Sequence, residues 1–243
     1  LRMLKIRHGE TGLTARSVAL GGEEDDIEAA FARDWSDGLP VVPPTEARVL
    51  AMLEGTSRES QEVLGIVPPN LDPCTVEKAA INAVMAGCKP EYFPVVLAAL
   101  DATLDPAFNM HGVLATTMYV GPVFVVNGPI AQRIGMNGKH NALGQGNRAN
   151  LTIGRAVQLI IRNVGGGKPG GIDRAALGNP GKLSYCFAED EAGSFWRPLS
   201  TDFGFNEGDN TVTVFAGYGL QGVVDQKSRD PESLARSIAE CLK

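Results

Sequence analysis

Apolar positions recur with helical spacing in several stretches of the chain and give way to short β-branched runs in its second half. From residue 72 to 86, Val76, Ala79, Ala80, Ala83 and Val84 form a stripe, with Asp72 placed to cap and Pro73 as first helical residue. A second helix begins near Pro90 and runs through Tyr92, Val96 and Leu100, so the two predict a helical hairpin. Residues 113–119 and 123–127 read as strands separated by Val120-Gly-Pro122 as a turn, and residues 129–134 as a short helical piece. The longest amphipathic pattern spans residues 149–163, where Leu151, Ile153, Val157, Ile160 and Ile161 predict the buried side. Arg155 and Arg162, seven residues apart, fall near one face of it. Shorter helices are expected at 23–32, at 45–53 with Thr45 as cap, and at 231–243, and further strands at 183–188, 211–216 and 222–225. Residues 165–182 read as a long loop. The expected class is α/β or α+β: a mixed sheet with flanking helices and long Gly-rich loops. Residues 1–22 show no periodicity and form an N-terminal arm that docks on something else, such as another subunit, and 23–243 form a single domain.

Composition narrows this picture. With 44% hydrophobic and 21% charged residues among 243, the chain can bury a core and is not a coiled coil or a disordered polymer. A formal charge of -6 argues against a general nucleic-acid binder, whose affinity needs clustered Lys and Arg. No apolar run approaches the roughly 20 residues of a spanning helix. Leu1, Arg2 and Lys5 open the chain without a sustained apolar region after them, so no secretory signal or membrane is expected and a cytoplasmic location fits. The absence of Met at the start, and an end inside an amphipathic helix, suggest a processed polypeptide. Cys74, Cys88, Cys186 and Cys241 form no C-x-x-C pair and read as reduced thiols.

The densest polar cluster is residues 135–155, between a strand and a helix. Such a Gly-rich segment can aim backbone N–H groups and a helix N-terminus at an anion. Lys139, His140, Arg148 and Arg155 supply cationic donors, and Asn137, Asn141, Asn147 and Asn150 supply amides to orient a substrate. The plainer alternative is that Asn and Gly are turn formers here. Neither a P-loop nor a dinucleotide-binding G-x-G-x-x-G is present. Cys74 in a first helical turn and Cys88 at a helix end are both candidate thiols, the helix N-terminus favouring thiolate at Cys74. Glu189 and Glu191 follow a strand carrying Cys186, where either serves as general acid or base or simply opens a solvated helix, and Trp196 and Arg197 line the same cleft. His8, His111 and His140 show no metal-ligand spacing, so a mixed His140, Cys186, Glu189 metal site needs tertiary assembly.

Several phrases resemble the bacterial UGSC (seleno)protein family: Asp37-Gly-Leu-Pro-Val-Val-Pro-Pro-Thr45, Thr75-Val-Glu-Lys-Ala-Ala-Ile-Asn-Ala-Val-Met-Ala-Gly-Cys-Lys-Pro-Glu-Tyr92, Val125-Val-Asn-Gly-Pro-Ile130, Asn141-Ala-Leu-Gly144, Asn150-Leu-Thr-Ile-Gly-Arg155 and Gly181-Lys-Leu-Ser-Tyr-Cys-Phe-Ala-Glu189. The resemblance implies thiol or selenol redox work. The Sec/Cys-Gly-Ser-Cys signature itself is absent, so the resemblance places the reactive sulfur or selenium on a companion subunit docking here.

Three functions follow as expectations. The first is an enzyme subunit of an oligomer that binds a small polar or anionic substrate through Lys139, His140, Asn141, Asn147, Arg148, Asn150 and Arg155. In it, Cys88 or a redox partner subunit acts as nucleophile or reductant, Glu189 handles protons, His140 is the third catalytic candidate, and the chemistry is thiol- or selenol-linked redox or lyase chemistry. The second is a non-catalytic assembly subunit. The third is a metal-dependent hydrolase or lyase.

Overall fold

The computed structural model describes residues 11–21 and 24–242. The ends of the expected arm and helices at residues 1–10, 22–23 and 243, His8 included, lie outside the described residues. The architecture is α/β: helices and a mixed sheet.

The first half is mainly helical. Helix α1 (Asp26–Ala32) is capped by Asp25, whose side chain accepts from two backbone amides, and α2 (Glu46–Leu53) follows the Pro-rich turn. A ribbon of β1 (Val63–Val67) and β2 (Asp72–Thr75) then leads into α3 (Val76–Ala86). Here the expected helix from Asp72 is corrected. Residues 72–75 pair antiparallel with β1, Gly65 opposite Cys74, and Thr75 caps the helix by accepting from Lys78 N. Cys74 therefore lies on a strand just ahead of the cap of α3, not in a first helical turn. Gly87 ends α3 at φ +91°, a conformation that glycine adopts without strain. A 3-10 turn at Pro90–Tyr92 runs into α4 (Phe93–Leu104), completing the expected hairpin.

The expected strand at 113–119 is also corrected. Asn109 caps α5 (Met110–Ala115) by accepting from Gly112 N, and this local closure prevails over the β-branched pattern. Gly121 and Pro122, read as a turn, are the first residues of β3 (Gly121–Asn127). All seven β3 residues are buried, which is why this strand reads as a continuous apolar run. Helix α6 (Pro129–Arg133) follows, then the loop and α7 (Arg148–Asn163), β4 (Cys186–Ala188), the short α8 (Leu199–Asp202), β5 (Thr211–Gly217) and α9 (Pro231–Cys241). No strand forms at 222–225. The three-stranded sheet runs β4-β3-β5, with β3 parallel to β4 and antiparallel to β5.

Helices α4 and α7 pack on the sheet and α3 packs on α7, so one apolar cluster joins Phe93, Leu100, Phe124, Val126, Ile153 and Ile160. On α7, Ile153, Val157, Ile160 and Ile161 are buried as the pattern predicts, whereas Leu151 turns outward. Gly154 lets this helix meet β4, since a Cβ there would stand 2.5 Å from Ser184 Oγ. The described part of the arm docks on this same chain. The buried Glu77 carboxylate of α3 accepts from Thr14 N (3.0 Å), Ala15 N (2.8 Å) and Gln61 Nε2 (2.5 Å).

Candidate functional site

The loop expected to hold a substrate spends its asparagines on itself. Asn147 caps α7 by accepting from Asn150 N (2.9 Å), and its Nδ2 donates to the Gly135 carbonyl (2.7 Å). Asn150, 1% exposed, accepts from Asn137 N (3.0 Å) and donates to the carbonyls of Asn137 (2.8 Å) and Ala142 (2.9 Å). Asn141 sits at φ +59° and donates to the Gln145 carbonyl, and the His140 carbonyl accepts from Asn137 Nδ2. The His140 side chain is exposed. These bonds close the loop on the helix end and leave its amides engaged with backbone.

Lys139, Arg148 and Arg155 turn to different partners. Lys139 Nζ is 3.9 Å from Asp190 on an exposed surface, and Arg148 Nε donates to the Gly87 carbonyl at the end of α3 (2.9 Å). Arg155 grips Asp37 with two bonds of 2.7 Å and also donates to the carbonyls of Leu39 and Pro40. This pair is nearly enclosed, its side chains 14% and 10% exposed. Burial pushes the Asp37 carboxyl up, but the hydrogen bonds and charge of Arg155 outweigh it and hold the group below the ordinary aspartate value. Arg155 is thus a clamp between α7 and the Asp-Gly-Leu-Pro segment.

What these bonds build is a polar stripe along α7, carrying Thr152, Arg155, Gln158 and Arg162, with a concavity toward each end. The first, about 500 Å³ and the more polar of the two, carries Asp37, Gln158, Arg162, Asp173, Asn179 and Lys182 in a wall whose larger part is apolar, Met110, Leu114 and Ile161 included. The second, about 730 Å³, is mainly apolar, with Leu143, Leu151, Tyr185 and Leu220 in its wall and Arg155 at its edge. Both touch Asn179, Pro180 and Leu183, so the Pro180–Lys182 turn stands between them. In the polar concavity Lys182 pairs with Asp173 at 2.9 Å, both largely buried. Arg162 pairs with Asp34, which Lys168 also approaches (2.5 Å). Its Nε, however, is buried with no hydrogen-bond partner. A buried N–H without an acceptor is costly.

No family model, curated protein or solved structure matches the chain.

Cys88 is buried beneath α7 and its Sγ donates to the Thr152 carbonyl (3.3 Å). Burial pushes its thiol up to about 12, against a smaller pull from that bond and from Arg148 and Arg155. Burial likewise pushes Cys74 up to about 12 and raises Cys186. All three are thus held as neutral thiols, and the exposed thiol is Cys241. Glu189 and Glu191 form no helix start: Glu189 accepts from Leu199 N (2.9 Å), Glu191 from Gly128 N (2.7 Å), and both from Asn127 Nδ2. Trp196 and Arg197 are exposed, Arg197 pairing with Glu207. Among the described residues no three His, Cys, Asp or Glu side chains come together as a metal-binding set, and His140, Cys186 and Glu189 are not joined.

Asp37, Gln158, Asp173 and Lys182 were not anticipated. Arg162 carried a signal, its seven-residue spacing from Arg155 on one helix face. Asp37 and Asp173 lie 118 and 18 residues from Arg155 in opposite directions, and nothing local marks either as facing α7.

Proposed function

We propose that this chain is a subunit of an enzyme that binds a small polar or anionic molecule, and that the molecule sits in the polar concavity beside α7. The observation that carries the reading is the Arg162 guanidinium lining that wall beside the enclosed Asp173–Lys182 and Asp37–Arg155 pairs. Arg162 lines that wall, so a carboxylate entering the concavity would meet its guanidinium charge. Fixed, mutually paired charges around it would orient a polar molecule without drifting into solvent. Thiol- or selenol-linked redox or lyase chemistry then belongs to a companion subunit, as the UGSC resemblance implies, because burial keeps Cys74, Cys88 and Cys186 protonated. A cytoplasmic setting suits four cysteines that form no disulfide, and no helix of the described residues is long and apolar enough to cross a membrane.

The test is thermal unfolding in a panel of small mono- and dicarboxylates, from acetate to succinate. At least one is expected to raise the wild-type midpoint and to lose that effect in Arg162→Gln. A panel without any shift, or a shift that survives in Arg162→Gln, removes this concavity as the site.

An assembly role is favoured by a separate observation. Phe195, Trp196, Phe203, Phe205 and Leu220 are exposed, and the amphipathic α9 buries none of its residues. Light scattering on the purified chain gives its oligomeric state, and a monomer that leaves these side chains in water at high concentration would count against this second role.

A further inference from the structure

β5 is an edge strand with one side open. In the sheet order β4-β3-β5 it pairs with β3 along its whole length, from Gly121 opposite Gly217 to Asn127 opposite Thr211. Phe124 N donates to the Tyr185 carbonyl and Val126 O accepts from Glu189 N, so the even-numbered residues of β3 turn to β4 and the odd-numbered ones to β5. The backbone of Thr211, Thr213, Phe215 and Gly217 is therefore directed to β3, and the N–H and C=O groups of Val212, Val214 and Ala216 point outward. Among the described residues nothing bonds those outward groups. Val212 and Val214 pack against the core on the face that α4 covers, whereas Phe215, on the other face, is 47% exposed. An edge of this length, with no charged residue, proline or bulge, is a template for another strand.

A second observation concerns what lies at the two ends of this strand. Phe203 and Phe205, between α8 and the start of β5, are exposed. Beyond its end Leu220 and Val224 are exposed too, and α9 shows Leu234 and Ile238 one turn apart on a single face. α9 makes no extended contact with any other element. A helix of 11 residues is marginal in water unless its apolar face packs on something.

We propose that β5 pairs antiparallel with the β5 of a second copy of this chain, across a two-fold axis at Val214, so that the two sheets become one. At that axis the two Val214 residues exchange both of their bonds, and Val212 of each copy stands opposite Ala216 of the other. Every outward N–H and C=O of the three residues then has a partner, as a contact that uses one patch twice requires. The same axis sets Thr211 of one copy opposite Gly217 of the other. It therefore carries the segment that leaves β5, with Leu220 and α9, to the end of the second copy's strand where Phe203 and Phe205 lie exposed. A seven-residue edge, about 24 Å long and about 10 Å deep, covers only about a third of the roughly 800 Å² that a stable interface takes from each partner. The apolar side chains at its two ends supply the remainder. The pairing rests on the assembly role described above and gives that role its partner and its surface.

Sedimentation equilibrium of the full chain tests it. A dimer is expected at about 20 µM, and two variants should each weaken it by at least about tenfold with circular dichroism unchanged. Ala216→Pro removes an outward N–H and leaves the bonds of Phe215 and Gly217 to β3 in place, and Ile238→Glu puts a charge on the apolar face of α9. A chain that is monomeric at about 100 µM overturns the pairing and the assembly role together. A dimer that both variants leave intact overturns the pairing alone, since another face then joins the copies. Should the variants not fold, deuterium uptake of the wild-type chain decides. The amides of Val212, Val214 and Ala216 should exchange more slowly in a concentrated sample than in a dilute one, and uptake over residues 211–217 that is the same in both overturns the proposal.

Discussion

Two Gly-rich segments flank α7, and they use their polar residues in opposite ways. Residues 135–147, ahead of the helix, are dense in Asn and Gly, yet Asn147, Asn141 and the helical Asn150 hydrogen-bond backbone of the same loop. Residues 165–183, behind it, look like plain connection, yet they deliver Asp173, Asn179 and Lys182 to a concavity with Arg162. Short amide side chains find acceptors within a few residues and are consumed there. Longer charged chains reach across the fold and meet partners that are distant in sequence. Local polar density is therefore a sign of loop architecture, and enclosed charge pairs are the better sign of a site.

The contrast can be broken most forcefully at the clamp. Asp37→Ala strands the enclosed Arg155 guanidinium, with an expected loss of about 3–5 kcal/mol in urea unfolding at neutral pH. A loss below about 1 kcal/mol would mean that the pair is solvated and the clamp idle. Because the Asp37 carboxyl lies below its ordinary value in the folded protein, its stabilisation is complete above roughly pH 4 and fades as pH falls through the folded value. Asp37→Asn should therefore flatten the acid limb of a stability–pH curve.

Asn150→Ala comes next. It frees three backbone groups at once, Asn137 N, Asn137 O and Ala142 O, and should cost about 2–3 kcal/mol while leaving any carboxylate effect on the wild-type midpoint intact. Loss of the carboxylate effect with stability unchanged would return the loop to the role first expected of it.

Thiol labelling separates the three buried cysteines from the exposed one. At pH 8 a maleimide should modify Cys241 quickly and Cys74, Cys88 and Cys186 only after denaturation. Above the ordinary thiol value the unfolded chain loses protons that Cys74 and Cys88 keep until about pH 12, so stability should fall as pH rises through that window. The smallest change is expected at the loop tip, where Lys139→Ala and His140→Ala should each shift stability by under about 0.5 kcal/mol.

Much of the fold was legible because it rests on period and capping. The buried stripe of α7, the hairpin of α3 and α4 and the apolar run of β3 all announce themselves within a dozen residues. The misread segments were those decided by competition. Asp72 and Pro73 satisfy the rules for a helix start, but pairing with β1 claims them and moves the cap to Thr75. Asn109 starts a helical turn in a stretch whose Val113 and Thr117 suggest a strand. The site was less legible, since Arg155 reads identically whether it faces a substrate or Asp37. Only the partner distinguishes the two, and that partner is 118 positions away.

That separation bears on how the protein is made. During synthesis the segment around Asp37 leaves the ribosome long before Arg155 exists, so the clamp can close only after about two thirds of the chain has emerged. Until then Asp37 has no guanidinium to pair with, and on a ribosome stalled ahead of α7 the Trp35 to Pro44 stretch would be held only by its contact with α3, where Val42 N bonds the Met85 carbonyl.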